Sequence, residues 1–280
     1  MNLPDVHLYQ IAYSPETLAQ IEPGYLVLDN LANPRPDWYE YWPIRNFLLQ
    51  QPLDEEAFYG FFSPKFGRKT RLSHAEVVQL VQAKAPQADV VLFSGHPAQV
   101  AFFMNVFEQG ESMHPGLMDV AQAWLESCGM NIPVHRLVMD SQQMVFSNAF
   151  VARPAFWREW LSWTETLFAQ CEAQATPLAL RLTAVTEYDG KAQLKVFLME
   201  RMASLLLSLK RKWRARTHNP YAFGDALLED KMPLDLPQLL CFDALKHAFV
   251  TFGFLEYLDA IEAMRDRFLP DGLPNQRKKA

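Results

Sequence analysis

The feature that most limits the possible folds is the alternation of short apolar runs with helical segments in the first half of the chain. The apolar runs predict strands over residues 7–13, 25–28, 57–63, 89–94 and 146–152. Between two of these runs, Ser73 and Glu76 form a capping box that predicts the start of a helix. Strands that alternate with helices are typical of a layered α/β fold with a mainly parallel sheet flanked by helices.

The second half of the chain has a different pattern, because helical segments follow one another. Pro154 predicts the start of a long amphipathic helix that ends near residue 175. Residues 195–216 predict a single long helix with an apolar stripe and a basic end. We therefore expect an α/β domain over residues 1–190 and a helical C-terminal extension, packed on it, over residues 191–280.

Composition narrows the function classes. Of the 280 residues, half are hydrophobic and 13% are aromatic, so the chain can bury a large core. The formal net charge of −6 argues against a general nucleic-acid binder, because such proteins present a basic surface. The three cysteines lack zinc-site spacing, so we expect reduced thiols. Without a signal-peptide pattern or an apolar run of ~18 residues, we expect a cytoplasmic protein.

Several common catalytic motifs are missing from the sequence. It contains no GxGxxG, GxxxxGK[ST], HExxH or GxSxG pattern. These patterns mark dinucleotide enzymes, P-loop NTPases, zinc peptidases and α/β-hydrolases, so their absence argues against those classes.

The densest group of polar and aromatic residues spans residues 29–45 and begins where a predicted strand ends. Ligands of open α/β sheets bind at that end of the strands. Four residues could hydrogen-bond hydroxyl groups: Asp29, Asn30, Asn33 and Glu40. Arg35 and Arg45 could neutralise phosphate, while Trp38 and Tyr39 offer flat faces to a base or sugar ring. The alternative interpretation is an aromatic helix packed in the core.

Two further groups follow predicted strands. Tyr59 and Lys65 flank the end of the third strand, where Lys65 either meets a phosphate or is a plain surface lysine. His96 and His114 each precede a proline at a predicted helix start, and each is either structural or part of an anion site.

Polar residues also interrupt the last predicted strand. Ser147 and Asn148 lie within an otherwise apolar run. A buried amide needs hydrogen-bond partners, so Asn148 either joins backbone segments or faces a site.

A basic cluster closes the helix predicted over residues 195–216. Its members are Lys210, Arg211, Lys212, Arg214 and Arg216. Cations are favoured at a helix C-terminus without any ligand. The functional alternatives are docking to an anionic membrane surface or to diphosphate groups.

Taken in order, these segments resemble a known family. The matching residues are Tyr9-Gln10-Ile11, Asp29-Asn30, Trp38-Tyr39-Glu40-Tyr41-Trp42, Phe58-Tyr59-Gly60-Phe61, Asp89-Val90-Val91-Leu92, His114 to Leu117, Ser147-Asn148-Ala149-Phe150 and Phe197-Leu198-Met199-Glu200-Arg201-Met202. Over residues 7–207 the chain resembles bacterial glycosyltransferase-like proteins of the DUF4422 kind, found among capsule and surface-polysaccharide genes.

The resemblance implies a GT-A-like (Rossmann-like) fold, a UDP- or GDP-type nucleotide-sugar donor, and a glycan or lipid-linked acceptor at the inner face of the membrane. For such a transfer, our candidates are Asp29 and Asn30 at the donor, and Arg35, Arg45 and Lys65 near its phosphates. The implied catalytic candidates are His114, Asn148 and Glu200, and the implied aromatic contacts are Trp38, Tyr39 and Tyr59.

The sequence departs from that family pattern at two places. Ser63-Pro64-Lys65-Phe66 stands where the family has a HYRR motif, and no D-x-D motif for Mn²⁺ or Mg²⁺ is present. Glu187 and Asp189 have the D-x-D spacing but fall in a late loop. The identity of any metal therefore stays open. The alternatives to a transferase are a non-catalytic carbohydrate- or nucleotide-binding protein on the same fold and a scaffold at the membrane surface.

Overall fold

The computed structural model describes residues 3–94, 96–187, 191–210, 212–222 and 235–268. Its centre is a six-stranded sheet with the order β2-β1-β3-β5-β4-β6. The strands are β1 (Val6–Ala12), β2 (Leu26–Asp29), β3 (Phe58–Phe62), β4 (Val90–Leu92), β5 (Phe150–Ala152) and β6 (Ala215–Thr217). All run parallel except β5, which pairs antiparallel with both β3 and β4. The predicted α/β fold with a mainly parallel sheet is confirmed.

Helices cover both faces of the sheet. They are α1 (Pro15–Ala19), α2 (Tyr41–Gln50), α3 (Phe66–Thr70), α4 (His74–Lys84), α5 (Pro97–Phe102), α6 (Val106–Met113), α7 (Leu117–Ser127), α8 (Pro154–Ala173), α9 (Pro177–Leu182), α10 (Leu194–Met199), α11 (Met202–Leu209), α12 (Leu236–Phe252) and α13 (Glu256–Phe268). Within the described ranges, none of them combines the length and apolarity needed to cross a bilayer.

Burial of the sheet on both faces explains the apolar runs in the sequence. All five residues of β3 are buried. Phe61 belongs to the larger core cluster with Trp157 of α8, while Phe62 belongs to a second cluster with Val77 of α4. A strand covered by helices on both sides needs apolar residues at successive positions, not at alternate ones.

The single helix predicted over residues 195–216 is wrong. The chain forms α10 and α11, with Glu200 and Arg201 between them, and then leaves the helix to form β6. Strand β6 pairs in parallel with β4 through Ala215, Arg216 and Thr217. The segment expected to be a purely helical extension therefore completes the sheet.

The helical segment that follows β4 is divided into α5 and α6. Asn105 has extended backbone angles, and its side-chain oxygen accepts hydrogen bonds from the backbone N–H groups of Phe107 and Glu108. This N-cap ends the continuity of α5 and starts α6.

Candidate active site

One edge of the sheet brings several of the predicted site segments together. The carboxyl ends of the parallel strands and the amino end of antiparallel β5 lie on the same edge. Lys65 follows β3 there, and Ser147 and Asn148 precede β5. Ligands of open α/β sheets bind at this edge, so it is the candidate site for a ligand or a reaction.

Two carboxylates interact electrostatically at this edge, and we call Glu40 and Glu200 the carboxylate pair. Glu40 lies at the N-cap of α2 and Glu200 at the C-cap of α10. Both are partly buried. Burial and the charge of Glu200 raise the pKa of Glu40 to about 7. Burial also raises the pKa of Glu200. A carboxylate pair of this kind can hold or release a proton near neutral pH.

A lysine and an amide act directly on the carboxylate pair. Lys69 of α3 lowers the pKa of both carboxyl groups, opposing the larger effect of burial. Its Nζ donates a hydrogen bond to Ser147 Oγ at 2.8 Å. Asn148 Nδ2 donates to Glu40 Oε2 at 3.3 Å. Positive charge from Lys65 acts on Glu40 as well.

The hydrogen bonding of Asn148 is incomplete. The residue is 2% exposed, and its Oδ1 has no hydrogen-bond partner among the described residues. A buried carbonyl oxygen without a partner costs free energy, on the order of 1–3 kcal/mol. A ligand that donates a hydrogen bond beside Glu40 would remove that cost.

The backbone around the carboxylate pair is strained at three positions. Ser147 and Asn148 have φ angles of 52° and 51°, and Tyr39, next to Glu40, has φ 47°. Such left-handed angles are uncommon outside glycine and concentrate at functional sites. Here they hold the residues whose side chains reach Lys69 and Glu40.

A small cavity of about 10 Å³ adjoins the surroundings of the carboxylate pair. Lys69, His96 and Ser147 line it, together with the rings of Phe66 and Phe146. Lys69 therefore connects this pocket with the carboxylate pair. The arrangement offers a proton acceptor, a positive charge and an unused hydrogen-bond acceptor within one site.

Arg35 and Arg45, predicted to meet phosphate, are used elsewhere. Arg35 makes two hydrogen bonds to Glu172 of α8, at 2.6 and 2.8 Å, and Arg45 makes two to Glu165, at 2.6 and 2.8 Å. We call these contacts the α8 ion pairs. Trp38, predicted to be a ligand contact, is buried and donates its indole N–H to Glu172. These side chains hold the start of α2 on α8, so we do not retain them in the site.

The two residues predicted for the donor shape a turn. Asp29 Oδ1 accepts a hydrogen bond from the backbone N–H of Leu31 at 2.9 Å. Asn30 Nδ2 donates to Asn33 Oδ1 at 3.2 Å, and the backbone N–H of Asn30 donates to Ala12 O. Short polar side chains commonly stabilise turns in this way.

Tyr59 and His114 are packed in the interior. The Tyr59 hydroxyl accepts a hydrogen bond from the backbone N–H of Asp54, and its ring stacks on His7. The His114 ring stacks on Phe197 with 3.5 Å between centroids. Burial, assisted by the charge of Arg201, lowers the pKa of His114 to about 4, so its ring is neutral near pH 7.

Two members of the basic cluster pair with carboxylates. Lys212 pairs with Glu159 at 2.6 Å, and Arg214 pairs with Asp89 at 2.9 Å. Lys210 lies over the Trp163 ring. Arg211 falls outside the described residues, as does Asp189 of the late acidic loop.

The sequence singled out Asn148 and Glu200 as catalytic candidates, and the structure brings both to Glu40. The sequence predicts Glu40 only as a partner for hydroxyl groups and predicts no role for Lys69. The sequence signal for Glu40 was its place in the polar and aromatic stretch. No sequence pattern indicates that Glu40 and Glu200, so far apart in the chain, share one site.

Metal ligands are limited around this site. In the parts of the chain that the structure describes, no group of three or more His, Cys, Asp or Glu side chains is arranged to hold a metal ion. The carboxylate pair itself supplies two oxygen-bearing groups.

Comparison with known proteins assigns no family. The chain matches no protein-family model, no curated protein and no solved structure. The function is therefore argued from the geometry of the carboxylate pair and its surroundings.

Proposed function

We propose that this chain is a glycosyltransferase that moves a sugar from a nucleotide-sugar donor to a glycan or lipid-linked acceptor during surface-polysaccharide synthesis. The observation that carries the proposal is the Glu40 carboxyl, with its pKa near 7, beside Glu200, Lys69 and Asn148 at the ligand-binding edge of the sheet. The sequence resemblance supports the same activity and a GT-A-type version of the fold.

Glu40 is the proposed general base. The acceptor hydroxyl gives its proton to the Glu40 carboxylate while its oxygen forms a bond to the anomeric carbon of the donor. A base is most effective when its pKa lies near the working pH, and burial beside Glu200 supplies that condition. Asn148 Oδ1, which lacks a partner among the described residues, supports the proposal as an acceptor for a second hydroxyl.

Lys65 and Lys69 are the proposed partners of the leaving group. The bond between the anomeric carbon and the phosphate oxygen breaks, and its electron pair leaves with the nucleoside diphosphate. Positive charges placed where negative charge develops stabilise the transition state. Both lysines act electrostatically on Glu40, which supports their proposed role beside the leaving group.

The test is release of nucleoside diphosphate from a panel of UDP- and GDP-sugars, with and without acceptor glycans and with Mg²⁺ or Mn²⁺ in parallel. We expect Glu40→Gln to lower kcat by about 100-fold or more, since general bases contribute roughly 10²–10⁴. The matched control is Glu55→Gln, because Glu55 is exposed and paired with Arg158.

The pH profile sharpens this test. Activity should rise as the pH increases through about 7, where Glu40 loses its proton. Donor-induced thermal stabilisation without diphosphate release would indicate a binding protein. If no donor produces thermal stabilisation or diphosphate release, the transferase proposal is ruled out.

A further inference from the structure

A separate pocket lies beside β6. Its volume is about 570 Å³, and it shares no lining residue with the carboxylate pair or its neighbours. Pockets of roughly 300–1,000 Å³ accommodate small organic molecules. Trp213, Phe249 and Phe252 provide apolar walls, while Arg216 and His247 provide polar ones.

An aspartate fixes the histidine of this pocket. Asp140 is 2% exposed, and its Oδ1 accepts a hydrogen bond from the backbone N–H of Gln142 at 2.8 Å. Its Oδ2 lies 2.6 Å from His247 Nδ1. The His247 side chain is 54% exposed. Because Nδ1 is held by Asp140, Nε2 is the ring nitrogen left for a ligand.

Arg216 supplies a positive charge in the same pocket. Arg214, its neighbour, is paired with Asp89. Arg216 forms no ion pair within the described residues, and its Nη1 donates only to the carbonyl of Ala215. A guanidinium has five N–H donors, so Arg216 has several besides the one that donates to Ala215. Their planar arrangement matches the oxygens of a carboxylate or phosphate group.

We propose that this pocket binds a small organic anion. A phosphate or carboxylate group lies against Arg216, with His247 Nε2 making a second polar contact, and the body of the ligand packs on Trp213 and Phe249. The apolar walls give the body of the ligand a surface to pack against beside Arg216. The binding site is distinct from the proposed transfer site and does not depend on that reaction.

The test compares four probes by isothermal titration calorimetry: inorganic phosphate, phenyl phosphate, benzoate and benzyl alcohol. We expect phenyl phosphate or benzoate to bind at least tenfold more tightly than benzyl alcohol, which has the ring but no charge. The tighter of the two anions identifies the preferred group. Inorganic phosphate should bind more weakly than phenyl phosphate, because it has no body to contact the apolar walls.

Variants then locate the site. Arg216→Gln and His247→Asn should each weaken binding of the preferred anion, by at least tenfold for Arg216→Gln. Arg181→Gln is the control, because Arg181 is exposed on α9, outside the pocket. If Arg216→Gln does not fold, the shift of the His247 ring signals on titration of the natural chain replaces it. Equal binding of benzyl alcohol, unchanged affinity in Arg216→Gln, or unshifted His247 signals would overturn the proposal.

Discussion

The α8 ion pairs and the carboxylate pair each take a residue from the stretch over residues 29–45, yet their electrostatics are opposite. Hydrogen bonds from Arg35 lower the pKa of Glu172, and the pKa of Glu165 is lowered because bonds from Arg45 and Tyr41 outweigh its burial. At the carboxylate pair, burial and a like charge raise the pKa of Glu40.

The contrast separates groups that hold the fold from groups available for chemistry. Each carboxylate of the α8 ion pairs meets a guanidinium in two-point geometry, so its charge is stabilised where it is. The carboxylate pair stores unfavourable free energy that a proton or ligand can relieve. The following predictions test this difference, beginning with the largest expected effect on stability.

Breaking an α8 ion pair should destabilise the chain most. Glu165→Ala leaves Arg45 and the hydroxyl of Tyr41 without their acceptor, and Tyr41 is buried. We expect a loss of about 2–3 kcal/mol in the free energy of unfolding, measured by urea denaturation. Glu55→Ala, which breaks an exposed pair with Arg158, is the control and should cost much less. Equal losses in the two variants would mean that the α8 ion pairs do not stabilise the fold.

The carboxylate pair should behave in the opposite way, because removing one charge relieves repulsion. The pKa of Glu40 rises from an ordinary 4.5 to about 7 on folding. Its contribution to stability is therefore complete below pH 4.5 and is lost as the pH rises through 7. At pH 8, Glu40→Gln should be more stable than the natural chain by at most about 3 kcal/mol, the free energy that corresponds to this pKa change.

The measurement is urea denaturation of both proteins at pH 5 and pH 8, where other titrating groups cancel in the difference. At pH 5 the difference should be much smaller than at pH 8, because pH 5 lies near the lower end of the window between 4.5 and about 7 over which the stability is lost. A variant less stable than the natural chain at pH 8 would show that the Glu40 charge is compensated by Lys69 and Asn148.

Local sequence signals predicted most of the fold, but not its last strand. The capping box of Ser73 and Glu76 is present, and the apolar runs become β1 to β5. Strand β6 has only Ala215, Arg216 and Thr217, all partly buried at the edge of the sheet, and three such residues carry no apolar pattern. Pairing with β4, not local preference, makes them a strand.

The candidate site was less predictable because its contacts join distant segments. An arginine such as Arg45 has the same sequence signature whether it meets a phosphate or Glu165. Only the packing of α2 on α8 decides between them. Likewise, the raised pKa of Glu40 depends on the position of the α10 end, which no local pattern specifies.

The smallest expected effect on stability comes from the ion pair of Lys212 and Glu159, which belongs to neither region. The Lys212 side chain is 61% exposed, so water and salt screen its attraction to Glu159. Lys212→Gln should therefore lower the free energy of unfolding by only about 0.5 kcal/mol, and the difference should shrink in 0.5 M salt, a concentration chosen to be roughly three times physiological.

The same variant tests whether the basic cluster is reserved for a membrane. Because Glu159 already engages Lys212, we expect vesicles rich in anionic lipid to co-sediment equally with the natural chain and with Lys212→Gln. Lys191→Gln is the matched control, since Lys191 is exposed and has no ion pair within the described residues. Weaker sedimentation of Lys212→Gln alone would mean that the lysine leaves Glu159 for the lipid surface, and that this ion pair belongs with the carboxylate pair as an element available to a ligand.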